Sequence, residues 1–463
     1  MILKTSKYFY NRILNWFLFT NKERLLIKKK ITFPSPKLRG KNILIQIQDE
    51  TYFTELFLDF QKHKNDNITG LKMTTLYYTI FDFIFMPFYL IKKIEQTFLN
   101  RKRKLLHNKL DVLYLKNPPF FFNRLKHLSK ATKIYNSIKE KNQLLSLSYN
   151  GILIGDLIYD SYLRIYKKAT VDVNDINLIF LIVRTFCEYD FLEKICSKYD
   201  TYLTGYTTYI SSGLPVRIFL KNNVKVYSFA YNKKGKLLVE NDFHQFKKYW
   251  NYKNDFDKLN SKPKKIKEGL ALLDSRTNGN IDLRYMKVNP FDSTYKSLNE
   301  KYDGIMFLHD FTDSNHGYRD MVFSDFYDWV IFTFELIIKH KINIGIKPHP
   351  NQNTSSRKMV KGLMKKYKNL NWVDEKTSNK KLFSSGIKFG LSVYGTVVTE
   401  LAYKKIKPIC CGDNPTINYN FTFNAKSKEE YLNYILNYKD LQFQENRLNE
   451  IGEFIYMNHI HKQ

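Results

Sequence analysis

Residues 343–412 restrict the fold more than any other stretch. Short apolar runs alternate there with helix-period segments, separated by polar breaks. Strands are expected at Ile342–Lys347, Asn371–Val373, Ile387–Ser392 and Lys407–Cys411, with another at Gly304–Leu308. Helical patterns at Ser324–His340, Ser355–Lys368 and Thr396–Lys404 fill the intervals. Strands alternating with helices of this length imply parallel pairing through crossovers. Two polar segments stand out: Lys347-Pro348-His349-Pro350, and Ser392 through Glu400. Each follows a strand, and such sheets bind ligands beyond the carboxyl ends of their strands.

A chain of 463 residues suggests two domains, and 43% apolar residues is a globular composition. Before residue 300 the reading is again α/β. Strands are expected at Asn42–Gln48, Asp111–Leu115, Gln143–Leu147, Tyr202–Gly205 and Val224–Phe229, the last turning through Lys233–Lys236 into Leu237–Val239. Helices are expected over 131–142, 174–198 and 207–221. Residues 260–300 are polar, rich in Lys and Asn and weakly patterned, and read as the interdomain connection. The expected organisation is a basic amphipathic extension (1–41), an N-terminal Rossmann-like acceptor domain (42–265), a C-terminal Rossmann-like donor domain (300–440), and a tail helix (441–463) packing back on the first domain.

The formal charge of +31 predicts attraction to polyanions. No helix-turn-helix, zinc-finger or single-strand-binding signature is present, so nucleic acid is not the expected partner. The first 42 residues carry eleven Lys/Arg and one Glu, with aromatics and leucines between them. As a helix this segment would suit an anionic membrane surface, or equally pack on the protein itself. Residues 73–91 are apolar over close to spanning length, but Asp82 and Pro87 interrupt them, which favours a membrane-facing or buried helix over a span. Cys187, Cys196, Cys410 and Cys411 form no CxxC pair and read as core thiols of a reducing compartment.

Several residues are placed for chemistry. The prolines around His349 stiffen its loop, and an imidazole fixed there suits a phosphate contact or proton donation to a leaving group. Lys347 opens the same loop. In the second segment Gly395 lets a ligand approach the backbone. Ser392, Tyr394, Thr396 and the helix start form an anion site, with Glu400 one turn on for ribose hydroxyls. His309, Asp310, Asp313, Ser314 and His316 lie in a loop after the Gly304–Leu308 strand, facing the same side. They lack metal-ligand spacing, so no metal is expected. In the first half, Asp156 is the preferred candidate for a general base and Asp160, one turn on, the second, with an N-cap or a buried salt bridge as the competing role for either. Tyr206 and Thr207 sit at another strand–helix junction and read as acceptor-pocket residues.

These residues together resemble bacterial surface-polysaccharide glycosyltransferases of the two-Rossmann (GT-B) architecture, nearest to the capsule and lipopolysaccharide group containing Kdo- and sialyl-transferases. The resemblance rests on His349-Pro350, on Gly395-Thr396…Glu400…Pro408, on the 309–316 loop and on Gly151–Asp160. It implies two Rossmann-like domains facing across a cleft, with the N-terminal helical extension in front. It also implies donor-phosphate contacts for His349, Ser392 and Thr396, an N-domain carboxylate as base, inversion at the anomeric centre, and no metal or cofactor. A nucleotide-sugar donor is expected, preferably a CMP-linked acidic sugar. The acceptor is expected to be a glycan or lipid-linked molecule handled at the inner face of the cytoplasmic membrane. Two departures stand against the pattern. No glycine-rich loop follows Gln48, and Ser392 is single where sialyltransferases have a serine pair. A UDP-sugar 2-epimerase-like enzyme and a non-catalytic polysaccharide-binding or export component are the alternatives.

Overall fold

The computed structural model describes residues 42–46, 67–73, 113–116, 121–229, 235–239, 249–280, 290–291 and 301–461. The expectations for 1–41 and for most of 73–91 lie outside them. Among the described residues no helix is long and apolar enough to cross a membrane.

The chain divides into two units: Met1–Ser161 with Asp172–Phe246, and Tyr162–Val171 with Lys247–Gln463. Unit 1 contains β1 (Asn42–Gln46), β2 (Asn67–Lys72), β3 (Leu113–Lys116), β4 (Ser148–Tyr149), β5 (Ile152–Leu153), β6 (Thr201–Thr204), β7 (Lys225–Phe229) and β8 (Gly235–Leu237). Unit 2 contains β9 (Gly304–Phe307), β10 (Ile344–Lys347), β11 (Asn371–Trp372), β12 (Phe389–Leu391), β13 (Lys407–Cys411) and β14 (Phe423–Ala425). Each unit has one six-stranded sheet, ordered β3-β2-β1-β6-β7-β8 and β11-β10-β9-β12-β13-β14. Pairing is parallel throughout, except that β8 runs antiparallel to β7 as the expected hairpin. Both units are thus Rossmann-like α/β sheets. In both, the strand order reverses beside the first strand, and the reversal marks the crevice where such sheets take ligands.

The apolar runs of unit 2 are continuous because β9, β10 and β12 are buried along their whole length, as parallel strands covered on both faces must be. The helix Phe326–His340 covers one face. Its Trp329 is fully buried and donates Nε1–H to the Tyr431 hydroxyl at 2.8 Å. Its N-cap is Asp325, not the neighbouring Ser324, and accepts the Asp328 N–H at 2.8 Å. Asp325 also accepts from Thr170, and Arg164 lies 3.8 Å from Asp313, so two contacts tie the 162–171 segment into unit 2.

Three sequence expectations need correction. Gln143–Leu147 is not a strand. Lys141–Leu145 is a helix, and the Gln143 side chain accepts the backbone N–H groups of Lys139 and Glu140 ahead of it. A short apolar run carries no period that separates the two states. The 207–221 helix starts later: a π-turn, Tyr209–Gly213, precedes the regular helix Leu214–Lys221. The proposed connector at 260–300 holds a 16-residue helix, Lys262–Thr277, which belongs to unit 2. The tail helix Arg447–Ile455 packs on that helix within unit 2. Gly269 faces Gly452 at the crossing, where an added Cβ would meet the opposite carbonyl at 2.0 Å. Two glycines let the backbones touch, and Leu273, Ile451, Phe454 and Tyr252 close a core around them.

Candidate functional site

In unit 2 the loops after β9, β10 and β12 leave the same edge of the sheet. The crevice between β9 and β12 is bridged by His309. Its ring stacks on Phe326 (4.4 Å between centroids, 15° between planes) and lies 5.1 Å from the Tyr394 ring. Nε2 accepts the Val393 N–H at 3.2 Å, with Ser392 Oγ also 3.2 Å away. A ring nitrogen that accepts a backbone N–H leaves the proton on the other nitrogen. Burial, aided by the nearby His349, pushes the His309 pKa down to about 3, only partly offset by Asp310. His309 is therefore a neutral brace for the turn after β12 and not a proton donor to a ligand.

That turn is further fixed. Ser392 donates to the Tyr394 carbonyl at 2.9 Å, and the Tyr394 hydroxyl donates to the Ser314 carbonyl at 2.8 Å. Gly395 follows with φ of +134°, a conformation that side chains strain, and no atom lies within 4 Å of where a Cβ would stand. The backbone there is open on one side. Thr396 precedes the helix Val397–Tyr403, whose Glu400 is only 2% exposed.

His349 sits on the next loop, half-buried. Its Nδ1 accepts the Asn351 N–H at 3.1 Å, which places the proton on Nε2. Burial lowers its pKa; Asp310 and Asp313 partly offset this, and Lys347 adds to the lowering. The residue is a neutral N–H donor at physiological pH. Lys347 is 2% exposed and donates to Asn379 Oδ1. Burial brings its pKa down to about 8, with Glu400 holding it up. The ammonium thus keeps most of its charge at pH 7.

The 309–316 loop is held by its own polar groups. Asp310 accepts from the Thr312 backbone and hydroxyl, from the Asn353 backbone and side chain, and from Ser356 Oγ. It clips the loop after β9 to the N-cap of helix Thr354–Lys366. Asp313 accepts the Ser314 N–H and pairs with Arg164, while Ser314 offers its carbonyl to Tyr394. His316 donates Nε2–H to the Ser324 carbonyl at 3.1 Å. These contacts hold the loop in place beside the ligand edge, and the Asp313 side chain stays 59% exposed. Asp310→Ala strips five donors of their acceptor. It is expected to lower stability by about 2–3 kcal/mol, measured as a shift in the denaturant midpoint.

In unit 1, Asp156 and Asp160 lie one turn apart on the helix Gly155–Tyr166. Asp156 is in a bidentate pair with Arg217, at 2.6 and 2.5 Å, and Arg217 also donates to the Leu153 carbonyl. Both Asp156 oxygens accept from Arg217 in a buried salt bridge. Asp160 is 2% exposed. Tyr206 is half-buried and stacks on Tyr209, while its N–H and carbonyl are closed on Thr204 Oγ1; Thr207 is buried beside it. Among the described residues no group of three or more His, Cys, Asp or Glu is arranged to hold a metal ion.

Sequence reasoning missed Asn379, the partner of Lys347, and the hydrogen bond from Gln352 to Glu375. Ser378, the N-cap of helix Asn379–Ser384, is the one local signal that marks this segment as ordered.

No family model and no curated protein matches the chain. Among solved structures it is similar to the β-Kdo 2,4-transferase of Thermosulfurimonas dismutans KpsC, at 10% identity over 55% of this chain and 78% of that one, with a TM-score of 0.32. The β-Kdo 2,7-transferase of the same KpsC gives 10% identity over 57% and 79%, with a TM-score of 0.31. A UDP-GlcNAc 2-epimerase of Methanocaldococcus jannaschii, solved with UDP-GlcNAc and UDP, gives 10% identity over 88% and 97%, with a TM-score of 0.28. At these values the likenesses do not bear on activity.

Proposed function

We propose that the protein is a metal-independent glycosyltransferase of bacterial surface-polysaccharide assembly that uses a nucleotide-sugar donor. One observation carries the reading. Beside the strand reversal of unit 2, an open glycine turn braced by His309 lies near a neutral Nε2–H on His349 and a buried, largely charged Lys347. Hydrogen-bond donors and a cation at the ligand edge of a parallel sheet suit a phosphate ester whose charge grows as the sugar leaves. His349 donates to the departing phosphate. The backbone around Gly395 and Thr396 and the Ser392 turn hold the phosphate oxygens, and Glu400 holds the ribose.

Unit 1 is assigned the acceptor, with Tyr206 and Thr207 beside it. The base is assigned to a carboxylate of the helix Gly155–Tyr166, Asp156 or Asp160. The reaction is a single displacement with inversion. The net charge of +31 suits a lipid-linked or otherwise anionic acceptor at a membrane surface.

The test is a titration with CMP, CDP and UDP followed by incubation with a donor. A nucleotide present at 100 times its Kd raises stability by about 2.7 kcal/mol, and that shift is expected for at least one of the three. The absence of any shift removes the nucleotide reading. A donor isomerised with no acceptor present replaces transfer with epimerisation.

A further inference from the structure

The helix Thr354–Lys366 turns one side to the core and a row of lysines to solvent. Ser356, Val360 and Leu363 are buried. Lys358, Lys361 and Lys365, at i, i+3 and i+7, are exposed on the opposite side, and Lys366 and Lys368 follow them. From Thr354 to Val373 the chain holds six cations and no Asp or Glu. Arg357 is paired with Glu375, 3.3 Å away. Like charges three and four residues apart repel each other and cost a helix stability. A negative surface laid against the row turns that cost into attraction. The neighbouring helix extends the patch. Phe334 meets the rings of Tyr367 and Trp372 at 5.1 and 5.5 Å, so the helix Phe326–His340 lies alongside. Its exposed end carries Lys339, His340 and Lys341, with Ile338 53% exposed beside them. Glu335 is the one carboxylate from Trp329 to Lys341.

The makeup of the patch selects among polyanions. Five of the six cations are lysines, which act as point charges and set no geometry, whereas a fixed phosphate is gripped best by the two-pronged arginine. Its rings, Tyr367 and Trp372, are engaged with Phe334, whereas single-stranded nucleic acid is held by rings that stack on its bases. A straight row on a 13-residue helix, about 20 Å long, with an apolar side chain at one end, matches a flat array of mobile anionic headgroups. We infer that this face of unit 2 docks on an anionic lipid bilayer, with Lys358, Lys361, Lys365 and Lys368 against the headgroups. Sequence patterning points to 1–41 and 73–91 for membrane contact, whereas this surface belongs to the nucleotide unit. The inference rests on the membrane-surface acceptor of the reading above and is independent of nucleotide binding. The N-terminal end of the same helix adjoins the His349 loop, so a docked helix holds the ligand edge near the headgroups, where a lipid-linked acceptor is presented.

Co-sedimentation of the full-length protein with vesicles tests the docking. The protein is expected to pellet with mixed phosphatidylcholine–phosphatidylglycerol vesicles and not with phosphatidylcholine alone, and added salt should weaken the binding. A lysine near an anionic surface is worth about fivefold in partitioning. The triple variant Lys358→Glu, Lys361→Glu, Lys365→Glu should therefore lower partitioning by at least about 100-fold, with the melting temperature unchanged or raised. A second triple, Lys264→Glu, Lys267→Glu, Lys404→Glu, alters the net charge equally at exposed positions on other helices and should lower it far less. Equal losses in the two triples, or no binding of the native protein to the anionic vesicles, overturns the inference. So does unchanged vesicle binding in the first triple together with weaker retention on heparin, which gives the face to a soluble polyanion. The stability gained with CMP, CDP or UDP should be the same in the native protein and both triples, so a failure of docking is distinct from a failure of the nucleotide reading.

Discussion

His349→Ala is expected to lower the rate of sugar transfer by about 10²- to 10³-fold, the usual worth of one oriented hydrogen-bond donor to developing oxyanion charge. The loss should fall on kcat, with the donor KM little changed. The Nε2–H is worth most when charge collects on the leaving phosphate, and interactions made only at the transition state lower kcat when removed. The pH profile gives a second check. Burial sets the folded pKa of His349 below its ordinary value of 6.5. Between pH 6.5 and 8 the ring is neutral, Nδ1 accepts the Asn351 N–H, and the rate should not depend on this residue's ionisation. Below that range protonation removes the Nδ1 acceptor and opens the turn, so an acid limb appears in the native enzyme and is absent in His349→Ala. A variant within about threefold of the native rate, with the same acid limb, would sink the assignment.

Unit 2 was legible because its strands are buried on both faces. Such strands must be continuous apolar runs, and the polar loops between them then mark the ligand edge. The same logic identified Lys347, His349, Ser392 and Gly395 as residues at strand ends. It did not identify what holds them. The role of His309 depends on Phe326 and Tyr394, 17 and 85 residues further along the chain, and no local pattern carries that stacking. Asp310 looked like a ligand-facing carboxylate, since sequence says nothing of the five donors that close on it. The Lys262–Thr277 helix was hidden differently. Ile266, Leu270 and Leu273 keep a helical spacing, but the lysines around them resemble a linker until the tail helix supplies their cover. In unit 1 the turn before Asp156 carried a readable signal that was overlooked. Asn150 (φ 47°) and Gly151 (φ 74°) join β4 to β5 in a two-residue hairpin, which Asn-Gly favours because both positions need positive φ.

Removing Asp156 is expected to cost stability more than chemistry. The Arg217 side chain is 3% exposed, and Asp156→Ala strips its guanidinium of the carboxylate that compensates its burial. Breaking a buried pair from one side typically costs about 3–5 kcal/mol, chiefly because a charge is left in a poor solvent. The midpoint of denaturant unfolding should fall accordingly. Asp156→Leu combined with Arg217→Met removes both charges and should restore most of the loss, since an apolar pair of similar volume is often neutral or better. The same series separates the two carboxylates of the helix. Asp160→Asn keeps the size of the side chain and removes its basicity, so a general base at 160 predicts a rate loss of about 10²- to 10⁴-fold with a far smaller change in stability. Asp156→Asn retains a hydrogen-bonding group for Arg217 and should reduce stability while leaving the rate per folded molecule within a few-fold. The reverse pattern, Asp156→Asn folded but inactive and Asp160→Asn active, would make Asp156 the base and Arg217 the group that orients it. Arg217→Lys then distinguishes orientation from charge alone. A lysine keeps the charge but cannot reproduce the two-point contact, so an orienting arginine predicts a lower rate at unchanged donor affinity.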